Sequence, residues 1–287
     1  MVMFLNILIG GLIMGGIYAL ISMGLSTQYG VARILNIAHG EFIMIGAYIT
    51  WQLNYSFGLN PIISLVIAGP ISFIICFIIH RTIFKRVKDI SDNTAFEGNA
   101  ILVAFGLMFI IQNLAMSYWG TQIKTMTFLQ ESITIGGAIF QLNRLSVFGM
   151  GVAICIIYYL FLTHSRLGKS IRAAAQDPVA AGMLGIKINR VMAICFGIGG
   201  LLAAFAGVLL SMISPLSTTM GLNYAVIAII VVVLGGLGSI TGAILGGFIL
   251  GFVGTAMNYI DPGLTVPVFY LIILVLLIVR PKGLLGR

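Results

Sequence analysis

Val191-Met192-Ala193-Ile194-Cys195-Phe196-Gly197-Ile198-Gly199-Gly200-Leu201-Leu202-Ala203-Ala204-Phe205-Ala206-Gly207-Val208-Leu209-Leu210-Ser211-Met212-Ile213 runs for 23 residues without a charged side chain. As an α-helix it extends about 34 Å at 1.5 Å per residue, enough to cross a hydrocarbon core of roughly 30 Å. Outward from it, comparable apolar blocks recur at 4–25, 37–53, 61–79, 100–119, 145–162, 224–234, 242–259 and 264–279. Over the whole chain 60% of residues are hydrophobic and 8% charged, against roughly 25% charged in soluble domains. A water-soluble fold of this size could not cover so much apolar surface. The sequence therefore predicts an all-α, polytopic transmembrane helical bundle of about nine crossings, one membrane domain over 1–287.

The formal charge of +8 does not point to nucleic acid, because the basic residues occupy short connections between apolar blocks. Arg33, the group Arg81, Lys85, Arg86 and Lys88, the group Arg166, Lys169, Arg172, Lys187 and Arg190, and the closing Arg280, Lys282 and Arg287 make up 13 of the 15 cations. Only Lys124 and Arg144 fall in the alternate connections. The positive-inside rule then places the N-terminus outside and the C-terminus in the cytoplasm. The first apolar block lacks a basic n-region and runs on for about 22 residues, so it reads as a retained span and not a cleaved signal.

Two places depart from plain spanning helix. The block 224–234 is short for a crossing and leads into Gly235-Gly236-Leu237-Gly238-Ser239-Ile240-Thr241-Gly242, where glycines favour a helix break. A broken helix exposes backbone groups that must face water or substrate, which makes Gly235, Gly236, Gly238 and Ser239 candidates for a solute pathway. The second place is Leu35-Asn36-Ile37-Ala38-His39-Gly40-Glu41, where polar residues open a span. Gly15-Gly16 precedes one break and Gly199-Gly200 the other. An internal repeat with its pathway between the halves and chance recurrence among 36 glycines both account for this pairing.

Glu41 is the one carboxylate near an apolar span. A charge at a span's centre costs about 2.5–3.5 kcal/mol on insertion scales, which marks it as a functional candidate. The topology puts it about a turn inside the cytoplasmic interface, where it could instead reach water or pair with Arg33. Asn36 and His39, three apart, share a face if the helix has already begun; they either line the path or bond a neighbouring helix. Small residues four apart, such as Gly11 and Gly15 or Gly247 and Gly251, suit close helix packing.

Between the fifth and sixth blocks lies a segment of different character, 166–190. Lys169 to Gln176 reads as a helix; Asp177 suits an N-cap, Pro178 the first helical position and Gly185 the residue past a C-terminus. A short second helix over 178–184, smooth at Ala180, Ala181 and Gly182, fits either docking into a groove on another protein or lying on lipid headgroups.

This segment resembles the coupling-helix motif of ABC importer permeases of the branched-chain amino acid family. The pattern Arg-Ala-Ala-x-x-Asp-Pro-x-Ala-Ala-x-x-x-Gly-Ile stands here from Arg172 to Ile186. Leu35 to Glu41 with Gly46-Ala47-Tyr48, and Gly235 to Ser239 with Gly242-Ala243, are similar to the same family. The resemblance implies an inner-membrane permease subunit importing branched-chain amino acids, other amino acids, urea or short amides. It implies as partners a second related permease, two ATPase subunits and a soluble substrate-binding protein. It implies ATPase coupling through Arg172, Asp177, Pro178, Ala180, Ala181 and Gly185. A secondary transporter or channel would explain the broken helices equally well, but it leaves 172–186 unexplained and would use more than one embedded acid.

Enzymatic chemistry is not expected. His39, His80 and His164 stand far apart, and Cys76, Cys155 and Cys195 are three unclustered thiols inside apolar blocks, neither a disulfide framework nor a metal site. No Gly-x-x-x-x-Gly-Lys-Ser/Thr loop is present, so ATP is expected to act in the partner subunits and no cofactor in this chain.

Overall fold

The computed structural model describes residues 2–90, 95–135 and 138–286. Long helices dominate it: α1 (Val2–Ala32), α2 (His39–Phe57), α3 (Pro61–Ile79), α4 (Lys85–Ile90), α5 (Phe96–Trp119), α6 (Leu142–His164), α9 (Ile188–Ser211), α10 (Met220–Gly235), α11 (Ile240–Ile260) and α12 (Thr265–Val279). Two short helices, α7 (Arg166–Gln176) and α8 (Pro178–Met183), join α6 to α9. A small antiparallel hairpin, β1 (Ser132–Ile135) and β2 (Ala138–Gln141), precedes α6. Among the described residues, seven helices are long and apolar enough to cross a membrane. With α2 and the shorter α10 they match the nine apolar blocks read from the sequence.

The boundaries move where buried polar groups find partners inside the helix. α1 continues to Ala32 instead of ending near residue 25, because Thr27 Oγ1 bonds back to the Met23 carbonyl at 2.7 Å and also meets the Tyr158 hydroxyl. Ser22 Oγ likewise reaches the Ala243 carbonyl of α11 at 3.1 Å. α3 runs on through a π-helical turn, His80–Phe84, into α4, giving one rod from Pro61 to Ile90. α10 starts at Met220, four residues earlier than expected, and spans 16 residues.

Packing is reciprocal between two halves. α1 lies along α11, and α9 lies along α3; α2 pairs with α3 as α10 pairs with α11; α5 edges α2 as α12 edges α10. α1 and α9 run antiparallel, with Gly24 beside Leu202 and Gln28 beside Phe196. This exchange of partners is the pattern of an inverted internal repeat. It pairs the connection before α2 with the connection before α10. The sequence reading had instead paired the former with Gly235–Ser239.

Close approach holds the halves together. At Gly251 an added Cβ would strike the Gly15 backbone, and at Gly247 it would strike the Ala19 backbone, so α1 and α11 meet backbone to backbone, as small residues four apart allow. One end of the bundle gathers the basic segments: Gly30 of α1 packs against Gly238 and Ala175, and the chain after α12 returns to the α10–α11 turn. The other end carries the hairpin, with Lys124 bridged to Leu216 and its ammonium 5.0 Å from the Trp51 ring.

Candidate functional site

The chain from Arg33 to Ala38 does not simply turn round at the basic end. Ile34, Asn36 and Ala38 are buried, and α2 begins at His39. His39 Nε2 donates to the Ile21 carbonyl at 3.1 Å. Ile21 lies roughly three turns before the end of α1, so α2 begins deep in the bundle. Asn36 closes the approach: its carbonyl accepts the His39 N–H at 3.1 Å, while its amide points to Gln28 Oε1 at 3.5 Å. Gln28 in turn donates to the Phe196 carbonyl of α9 at 3.2 Å. Asn36 therefore precedes the helix and does not share a helical face with His39.

The N-terminus of α10 meets that of α2 here. Gly40 lies against the Gly221 carbonyl and Ala225, and the Glu41 carboxylate lies against Gly221 itself. The segment before α10 is buried in its turn at Leu216 and Thr218, mirroring the segment before α2. Two helix N-termini thus converge in the interior, each the positive end of its helix dipole. A carboxylate over the first turn of α10 is placed where that dipole favours negative charge.

Glu41 corrects an expectation. It is fully buried, neither oxygen has a hydrogen-bond partner among the described residues, and Arg33 is exposed with its guanidinium 5.8 Å from the Tyr29 ring centre. The re-entrant 33–38 segment carries it out of reach of the interface. His39 Nδ1 and Asn36 Oδ1 are also buried without partners among the described residues. Asn36, His39 and Glu41 are therefore three buried polar residues at the start of α2, with Asn36 and His39 turned to α1 and Glu41 to α10, a costly arrangement inside an apolar bundle unless it serves a function.

Gly235, Gly236, Gly238 and Ser239 lie away from the start of α2. They form the tight turn joining α10 to α11 at the basic end, with φ of 103° at Gly236 and 81° at Gly238. Their backbone is not left free for a pathway. The Leu284 and Leu285 N–H groups donate to the Leu234 and Gly235 carbonyls at 2.9 and 3.0 Å, and the Gly236 N–H returns to Val232 and Val233. Ser239 Oγ accepts from the Gly242 N–H at 3.1 Å, capping α11. The expected break is real, but it is a sealed turn, and the C-terminal tail seals it.

α7 packs onto the basic end of the bundle through Gly168, Ile171 and Ala174, and α8 projects beyond it. Ser165 Oγ accepts the Gly168 N–H at 2.9 Å to start α7, and Arg172 donates to the Thr163 carbonyl at 3.1 Å, tying α7 to the end of α6. Asp177 Oδ1 accepts from the N–H groups of Val179 and Ala180 at 2.8 and 3.0 Å, with Pro178 at the first helical position. At the other end Gly185, φ 84°, donates to the Gly182 carbonyl, and Ile186 donates to the Ala181 carbonyl. This is a Schellman stop. Ala181, expected on the outer face, is 3% exposed and turned inward; Val179, Met183 and Leu184 face out at 67, 83 and 82%, with Ala180 exposed beside them. The helix is so short that one residue's phase decides which side points outward, and the sequence pattern gave that phase no anchor.

The chain matches, over residues 7–280, the family model described as the permease component of the branched-chain amino acid transport system. It is 33% identical to the high-affinity branched-chain amino acid transport system permease protein BraD of Pseudomonas aeruginosa, over 99% of this chain and 96% of that protein. It is 31% identical to the corresponding permease protein LivH of Escherichia coli K12, again over 99% and 96%. A probable branched-chain amino acid transport permease of Methanocaldococcus jannaschii is 25% identical over 88% of this chain and 81% of that protein.

Proposed function

Because the chain belongs to the branched-chain amino acid transport permease family, we propose that it is the membrane-spanning subunit of an ATP-driven importer of leucine, isoleucine and valine. Hydrolysis takes place in partner ATPase subunits, and solute is delivered by a soluble binding protein. A second, related permease completes the pathway.

One observation carries this reading: α8 is a helix of six residues, capped at both ends and holding Val179, Met183 and Leu184 outside the bundle. A helix that short has little stability of its own. It persists because Asp177 and Gly185 fix its ends, and its exposed apolar side chains suit a groove on another protein. Arg172 and the α6–α7 junction supply the rigid link by which motion there reaches α6 and α1. The positive-inside rule puts α7, α8 and the C-terminus in the cytoplasm and the hairpin outside. The path passes the converging N-termini of α2 and α10, where Asn36, His39 and Glu41 offer the polar contacts a zwitterionic solute needs.

The test is leucine uptake into vesicles holding the chain, its partner subunits and ATP. ATP-dependent uptake that requires the binding protein is expected; uptake driven by an ion gradient without ATP would overturn the assignment. Outside-only cysteine labelling at 121–131, and none at 169–187, checks the orientation.

A further inference from the structure

At the basic end, between the rod formed by α3 and α4 and the start of α9, the structure holds a cavity of about 480 Å³. Arg81 and Lys85 stand on one wall, Lys187 and Arg190 on the other. Among the described residues none of these four cations forms an ion pair, and no acidic side chain lines the cavity. Four like charges facing one volume repel each other unless an anion joins them.

The cavity also has a built inner surface. His80 lines it at 4% exposure, held by its ring against Phe196 with centroids 4.7 Å apart, and its Nδ1 has no hydrogen-bond partner among the described residues. His80 opens the π-helical turn that interrupts the rod. Such turns re-aim side chains and recur at functional sites. Asn189 adds an amide to the same volume. Toward the bundle the lining becomes apolar at Phe77 and Ala193. Three residues before Phe77 and Arg81 on the same rod stand Ile74 and Ile78, more than half exposed, so an exposed apolar stripe leads from the cavity along α3.

We propose that this cavity binds the headgroup of an anionic phospholipid. The phosphate sits among Arg81, Lys85, Lys187 and Arg190 with Asn189 and the His80 ring beneath it, and an acyl chain lies on Ile74 and Ile78. Free phosphate shares the charge but not the apolar stripe, and a basic pocket between spans at the membrane surface is the usual form of a lipid-headgroup site. The site lies beside the α8–α9 junction, so an occupied headgroup would brace the element that carries α8.

The test uses the assembled transporter, purified in detergent, with lipid retention read by native mass spectrometry and thermal stability read in parallel. Cardiolipin or phosphatidylglycerol should be retained and raise the melting temperature; phosphatidylcholine should do neither. The double variants R81Q/K85Q and K187Q/R190Q, on opposite walls, should each weaken retention by roughly tenfold or more, while R280Q/K282Q, elsewhere at the same end, should not. Using two walls keeps the test open if one variant folds poorly. Wild-type retention in both, or inorganic phosphate alone reproducing the stabilisation, would overturn the lipid assignment. Loss of ATPase assembly in every lipid would overturn it too, making the cavity a protein contact.

Discussion

Replacing Gly40 by Ala probes the convergence of α2 and α10 directly. A Cβ on Gly40 would fall onto the Gly221 carbonyl oxygen and 2.8 Å from the Ala225 Cβ, 0.6 Å short of the 3.4 Å at which ordinary contact begins. Neither neighbour is the end of a flexible side chain, so the two helix starts must separate. Overpacking of this kind costs about 1–3 kcal/mol. Gly106 of α5 is the matched control, because an added Cβ there meets nothing within 4 Å among the described residues. Gly106→Ala should leave stability unchanged or raise it by up to about 1 kcal/mol, through helix propensity and a less mobile unfolded chain. The difference between the variants, about 1–3 kcal/mol or more, isolates the packing. Both would be unfolded thermally in the same detergent, with helicity as the signal and solute uptake measured beside it. Gly40→Ala as stable as Gly106→Ala, with normal uptake, would refute the convergence of the two N-termini.

Three other outcomes are expected. Glu41→Gln keeps the shape and removes the acidic group over α10, so uptake should fall at least about tenfold while ATPase assembly and stability hold; normal uptake would make Glu41 structural only. A stop after Lys282 removes the donors to Leu234 and Gly235, two hydrogen bonds at about 0.5–1.5 kcal/mol each. Amide exchange at 235–239 should speed accordingly, and unchanged exchange would refute the seal. Asp177→Ala uncaps two N–H groups of α8 at about 0.5–2 kcal/mol and should weaken ATPase affinity by the matching factor, whereas Asp177→Asn should retain most of it; equal behaviour of the two would refute the cap.

The apolar blocks made the helices legible because a bilayer demands uninterrupted runs of a fixed length, a constraint written residue by residue. The caps of α8 were legible for a related reason: Asp177, Pro178 and Gly185 act on their own neighbours. What was hidden depended on distant partners. The depth of Glu41 follows from where 33–38 re-enters, which His39 fixes by bonding Ile21 and which no local pattern marks. The partner of that re-entry, Ser214-Pro215-Leu216-Ser217-Thr218-Thr219, passed for an ordinary loop because its burial comes from packing. Its proline and its four hydroxyl residues between two apolar runs were the signal available. The glycines at Gly235–Gly238 announced a break correctly, but only the fold shows the tail that closes it.

Substitution of the outward face of α8 tests the coupling role most directly. In the transporter reconstituted with its ATPase subunits, V179E/M183E alters two side chains that are 67 and 83% exposed and touches neither cap. Membrane insertion and expression should be normal, while ATPase association and ATP-dependent leucine uptake should be lost together. Normal association and normal uptake in that variant would contradict the docking of α8 on an ATPase.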